Sequence, residues 1–239
     1  MSWMLLFSCF RLIRVPFCPA TLSIWCRTYP DNALPSAANS IGIRQAWEVC
    51  VPSTSVPTII VLNGASSAGK TSLCKQLQIV LDEPYMHLQE DAFVFNTYHE
   101  RWTQSGPGER IFAITMLAYY RSIRACVSAG HNLLVDTGFY SAELVHQFVS
   151  ELHDLPIWLV GVHCSVAELE RREQARGDRQ AGIAREQFSI IHAHVQYDIE
   201  VDTSEASVEE CADQIKAVVT SSAQPIAIQR LYTQIAPVP

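Results

Sequence analysis

From residue 58 onward, short apolar runs alternate with longer stretches whose apolar positions recur every three or four residues. The short runs are Thr58 to Leu62 (TIIVL), Tyr85 to Gln89, Asn132 to Asp136 (NLLVD), Ile157 to His163 (IWLVGVH), and the pair Ile199 and Val201. Compact apolar runs of this kind suit strands covered on both faces. Between them the period changes to that of a helix. One helix follows Lys70, with Leu73, Leu77 and Val80 on one side and a stop near Pro84. A long one spans Glu109 to Ala129 and stops at Gly130, and another spans Ser141 to Leu152. The tetrads Ser165-Val166-Ala167-Glu168 and Ser207-Val208-Glu209-Glu210 predict capping boxes that start two more. Strands alternating with helices in this way predict an α/β domain. No internal repeat interrupts it.

Residues 1 to 56 follow a different pattern. No acid occurs before Asp31, Arg11, Arg14 and Arg27 are present, and Pro16, Pro19, Pro30 and Pro35 interrupt any long helix. The apolar run from Trp3 to Phe10 is too short to span a bilayer. Its arginines follow the apolar run, whereas a secretory signal has its basic residues first. We expect an N-terminal extension and linker over 1–56, a catalytic domain over 57–222 and a C-terminal tail over 223–239.

The chemistry starts between the first strand and the first helix. Gly64-Ala65-Ser66-Ser67-Ala68-Gly69-Lys70-Thr71 fits G-x-x-x-x-G-K-[ST], in the strand–loop–helix context that this phosphate-binding loop requires. Gly64 and Gly69 permit the sharp turns that aim several N–H groups at one anion, and the helix N-terminus adds partial positive charge. Lys70 is expected on the β- and γ-phosphates of a nucleotide, and the Thr71 hydroxyl on Mg2+.

Two acids follow strands, where α/β sheets gather their ligands. Asp91 lies two residues past the second strand; it is either a general base for an acceptor hydroxyl or a loop acid capping a turn. Asp136 ends the third strand; it either joins Thr71 on Mg2+ or caps the Thr137-Gly138 turn. Farther on, Gly177 breaks a helix rich in arginine. We expect Arg176 and Arg179 on a lid closing over ATP, and Arg171 and Arg172 on a solvated helix end, paired with Glu168 and Glu173. His192, His194, Tyr197 and Asp198 cluster, but histidines two apart do not share a helix face, so packing is expected there.

Composition narrows the function. Net charge is −7 and only 17% of residues are charged, with no basic arm or stripe, so a nucleic-acid partner is not expected. Nor is a membrane. A helicase or motor is disfavoured by the short chain and the lack of further motor motifs. None of the eight cysteines forms a C-x-x-C pair, which gives zinc no sequence support. Reduced core thiols in a cytoplasmic protein are the expectation. The sequence carries no readable sign of an oligomer.

From about Thr58 to Ser222 the chain resembles the chloramphenicol phosphotransferases, P-loop kinases that modify a hydroxyl of an antibiotic. The likeness is carried by IIVLNGASSAGKT, HLQEDAF, NLLVDTGF, WLVGVHCSVAELERREQARGDRQAG and HAHVQYDIEVDTS, in that order. It implies a P-loop kinase fold, with a mostly parallel five-stranded sheet flanked by helices. It also implies ATP and Mg2+, transfer of the γ-phosphoryl group to a primary hydroxyl of a small molecule, and Asp91 as the base. The family often has two adjacent acids where this chain has Asp136-Thr137. The segment Phe93 to Gly108, expected to shape the acceptor pocket, has no clear counterpart in the family pattern. Two other functions therefore stand beside the antibiotic kinase: a kinase of another acceptor, such as a nucleoside, sugar nucleotide or metabolite, and an ATP-binding regulator without transferase activity.

Overall fold

A computed structural model describes residues 56–97, 108–176 and 182–235. In chain order the elements are β1 (Ile59–Asn63), α1 (Lys70–Val80), β2 (Tyr85–Gln89), α2 (Glu90–Thr97), α3 (Gly108–Ser128), β3 (Asn132–Thr137) and α4 (Ala142–Leu152). They continue with β4 (Ile157–His163), α5 (Val166–Arg176), α6 (Ile183–Phe188), β5 (Ile199–Asp202), α7 (Val208–Val219) and α8 (Ala227–Ile235). The expected strands and long helices are present. α2 was not expected: the chain turns helical directly at Glu90, so Asp91 occupies the first turn of a helix and is no loop acid.

Five parallel strands form one sheet in the order β2-β3-β1-β4-β5. All five residues of β1 are buried, because this central strand has helices over both faces. Ile60 and Leu62 pack with Leu73 and Leu77 of α1 and with Cys211 and Ile215 of α7. Ile59 and Val61 point the other way, into Met116, Tyr119 and Ile123 of α3 and Phe148 of α4. Strand alternation thus divides one apolar run between two cores. Each such fully buried aliphatic side chain contributes about 1.5–3 kcal/mol.

The segment expected to be a tail carries α8. Its Ala227, Ile228 and Leu231 are buried in the second core. Asp198 fixes its start, accepting from Ile226 N and Ala227 N at 2.8 and 2.9 Å through Oδ1, while Oδ2 accepts from Leu159 N of β4 at 2.9 Å. At the helix surface Tyr232 stacks on His153 with ring centroids 3.8 Å apart. We expect Leu231→Ala to lower stability by about 2–5 kcal/mol, read from chemical denaturation, because it empties a closed core position.

Of the two expected capping boxes, the one at Ser207 is complete, with Glu210 returning the bond. The other is half formed. Ser165 Oγ accepts from Glu168 N at 3.4 Å, but the Glu168 carboxylate turns to Arg171 and Arg172 instead, since two guanidinium groups outcompete one backbone amide.

Sheet register assembles the site. Leu62 lies opposite Asp136 across β1 and β3, and Gln89 lies opposite Asp136 across β2 and β3. Three strands therefore end side by side at the position where strand order reverses, the point at which open α/β sheets bind ligands.

Candidate active site

The loop from Gly64 to Thr71 leaves β1 and turns into α1 around a cavity of about 490 Å3. Gly64 is held against β4: a Cβ there would stand 2.5 Å from Val162 O. Because that neighbour is backbone, Gly64→Ala must displace the strand or the loop. The expected result is an unstable protein that no longer retains ATP, measured by thermal unfolding and nucleotide binding. Gly69 turns at φ 94°, and Ser67, unusually for a residue with a Cβ, at φ 64°. Such a conformation in a non-glycine residue persists only where the surroundings hold it. Here Arg172 Nη1 reaches Ser67 O at 3.4 Å, and Thr203 Oγ1 donates to Ala68 O at 2.8 Å. Among the described residues, Ser67 Oγ is buried without a hydrogen-bond partner, a polar atom inside the loop suited to a phosphate oxygen.

Lys70 Nζ donates to Gly64 O and Ala65 O at 2.8 and 3.1 Å and lies 3.8 Å from Asp136. Thr71 Oγ1 donates to Asp136 Oδ2 at 2.6 Å. Asp136 therefore does not cap the Thr137-Gly138 turn. That turn is held by Glu90, which accepts from Thr137 Oγ1 at 2.7 Å and Gly138 N at 2.8 Å. Glu90 and Asp91 both line the cavity, at the start of α2. Tyr119 Oη, rising from α3, contacts Leu88 O at 3.1 Å and Asp136 O at 3.0 Å, bracing the ends of β2 and β3.

Glu90 was absent from the expected site residues. An acid beside a candidate acid gives no signal of its own, and its two partners are 47 and 48 residues away. Burial raises its pKa from 4.5 to about 7, against the Thr137 hydroxyl, the Gly138 amide and Lys70, while Asp91 raises it further. The folded chain thus holds the Glu90 proton more tightly than the unfolded chain. The stability from that proton is complete below about 4.5 and is lost as pH rises through about 7. Denaturation measured against pH should show wild type losing stability across that window relative to Glu90→Gln, which has no proton to lose.

Opposite the acids stand α5 and the end of β5. Arg171 and Arg172 both pair with Glu168, as expected, but Arg172 is no solvated helix end. It donates to Thr203 Oγ1 at 3.0 Å and Thr203 O at 2.8 Å, fastening α5 to the loop that follows β5 and to the phosphate loop. Both arginines line the cavity, as does Val208 at the start of α7. Nor does Glu173 pair with them: it is buried and accepts from Gly182 N at 2.7 Å and Ala184 N at 2.9 Å, capping α6. Those bonds tie together the two sides of segment 177–181. Arg176 is the last residue of α5, and Arg179 lies outside the described residues, as do 98–107 within the expected acceptor segment.

The histidine cluster packs behind the loop. Asn63 Nδ2 donates to Tyr197 Oη at 2.6 Å, Asn63 Oδ1 accepts from Phe139 N at 2.8 Å, and His192 Nδ1 meets Tyr197 Oη at 2.6 Å. Burial and the neighbouring His163 bring the His192 pKa down to about 4. This network fixes the residue before Gly64 and serves packing, as the spacing suggested.

With this geometry in place, similarity to known proteins decides the family. A sequence model for chloramphenicol phosphotransferase-like proteins matches residues 57–220. The chain belongs to that family. Two Mycobacterium tuberculosis relatives, each described as a "Putative O-phosphotransferase", are 33% identical over 196 aligned residues, covering 72% of this chain and 87% of the relative. Among solved structures, the fold is similar to an APS kinase of Mycobacterium tuberculosis (TM-score 0.54, 18% identity, 70% of this chain and 100% of that one). A gluconokinase of Sinorhizobium meliloti is also similar (TM-score 0.52, 16% identity, 76% of this chain and 99% of that one). The chain is a P-loop kinase, an O-phosphotransferase. Among the described residues no helix is long and apolar enough to cross a membrane.

Proposed function

We propose that this kinase moves the γ-phosphoryl group of ATP to a hydroxyl of a small molecule, chloramphenicol or a similar compound, with Asp91 as the base. One observation carries the reading: the phosphate loop, Asp136 and Asp91 line a single cavity together with Arg171, Arg172 and Val208. ATP fits with its phosphates in the loop from Gly64 to Thr71, Ser67 Oγ and Lys70 on the phosphate oxygens, and its base toward Arg172 and Val208. The acceptor then lies on the α2 side, where Asp91 receives the hydroxyl proton. The acceptor oxygen bonds to the γ-phosphorus as the bond to the bridging oxygen breaks, and ADP departs with that oxygen.

Thr71 and Asp136 are the residues that would hold Mg2+. Their oxygens already lie 2.6 Å apart, and hard oxygen donors suit this ion. When bound, Mg2+ offsets the phosphate charge. Lys70 adds positive charge on the same group, and Arg176 and Arg179 are the lid arginines of this reading. Because phosphoryl transfer is loose, positioning and charge outweigh the strength of the base.

The test is an acceptor panel with radiolabelled ATP, containing chloramphenicol, nucleosides, sugar nucleotides and sugars. Label on a hydroxyl of chloramphenicol supports the full reading. Label on another compound replaces the antibiotic and keeps the chemistry. ATP bound with no label transferred favours the regulator.

A further inference from the structure

Behind Asp136, away from the loop carbonyls that hold Lys70, the fold gathers two further groups that phosphoryl transfer does not use. Cys74 lies one turn into α1 from Lys70 and is fully buried. His87 sits in the middle of β2, opposite Leu134, so it shares the sheet face of Leu134 and Asp136 beneath α1. One ligand atom each from Cys74, His87 and Asp136 lies within 4.8 Å of the others, and His87 Nε2 is 3.9 Å from Asp136 Oδ2. Among the described residues, that nitrogen is buried without a hydrogen-bond partner. An orphaned imidazole nitrogen beside a thiol and a carboxylate has the chemistry of a soft-cation site.

We infer that Cys74, His87 and Asp136 bind a thiophilic divalent cation, Zn2+ or its like, and that its binding switches the kinase off by taking Asp136 from Thr71. Zinc holds sulfur at about 2.3 Å and nitrogen or oxygen at about 2.0–2.2 Å, so side-chain movements of about an ångström or less close the site. Three protein ligands leave one position for water. Binding releases the Cys74 thiol proton to solvent, a zinc–sulfur bond forms, and no electron is transferred. Mg2+ does not compete for sulfur or imidazole, which separates this site from the oxygen pair of Thr71 and Asp136. Burial and the charge of Asp136 raise the Cys74 pKa, so the side chain stays a thiol until a cation with real affinity for sulfur arrives. Lys70, 3.8 Å from Asp136, is the charge opposing entry.

The sharing of Asp136 with magnesium rests on the proposed reaction; the binding itself does not. Cobalt(II) therefore serves as the first probe, added to the full chain without nucleotide. The expected spectrum has a thiolate-to-cobalt charge-transfer band, removed by zinc, absent in Cys74→Ala and weakened in His87→Asn. Thermal unfolding checks that both variants are folded; should Cys74→Ala unfold, the weakened band of His87→Asn carries the test. In the second arm, zinc is added under saturating Mg2+ and ATP. Wild type should lose turnover, whereas Cys74→Ala should keep its full basal rate with zinc present. A wild-type cobalt spectrum unchanged by both substitutions would overturn the site. A cobalt site without any zinc effect on turnover would overturn the switch alone.

Discussion

Asp91→Asn is expected to lower turnover by roughly a hundred- to ten-thousandfold, the usual contribution of a positioned proton acceptor. Asparagine keeps the size of the side chain and its place in the first turn of α2, so the cavity and its nucleotide half remain intact. The loss should appear in kcat, with ATP affinity nearly unchanged in calorimetry. Placement distinguishes this acid from its neighbour. Glu90 holds the Thr137-Gly138 turn with two short bonds, and in Glu90→Gln the amide oxygen still accepts both. Glu90→Gln should therefore retain much more turnover than Asp91→Asn. The reverse order would move the base to Glu90.

Lys70→Ala should act on both halves of the reaction. Its ammonium is the charge that bridges the loop carbonyls of Gly64 and Ala65 to Asp136, and nucleotide phosphates would draw it from those carbonyls. Removing one preorganised charge donor typically costs about a hundred- to thousandfold in rate. Affinity should fall as well, because the pocket then presents Glu90, Asp91 and Asp136 to an anion with one less cation to offset them. Steady-state kinetics should show kcat reduced and KM for ATP raised, a pattern distinct from Asp91→Asn.

The sheet and the donor loop were legible because their signals are local. A five-residue apolar run, a motif of fixed spacing and the helix that follows are read within some twenty residues, and all three stand as expected. What escaped the sequence depends on pairs far apart in the chain. Arg172 looks like a helix-end arginine until Thr203, 31 residues away, is brought against it. Glu173 looks like an ion-pair partner until the chain doubles back and offers it Gly182 and Ala184. Helix α2 was missed because Phe93 and Val94 form only a narrow apolar face, and its packing comes from Tyr119, whose ring lies 5.0 Å from that of Phe93. Cys74 and His87, 13 positions apart on a helix and a strand, match no metal-binding spacing and meet only because β2 pairs beside β3.

Transfer of the γ-phosphoryl group to a hydroxyl is the central claim, and wild type beside Asp91→Asn in the radiolabelled acceptor panel tests it most directly. Wild type should move label from ATP to one acceptor as a phosphate monoester, in a reaction that needs Mg2+, and Asp91→Asn should bind ATP equally well while transferring almost none. Equal transfer by both proteins would remove Asp91 as the base, and ATP binding by wild type with no acceptor labelled would contradict the claim itself.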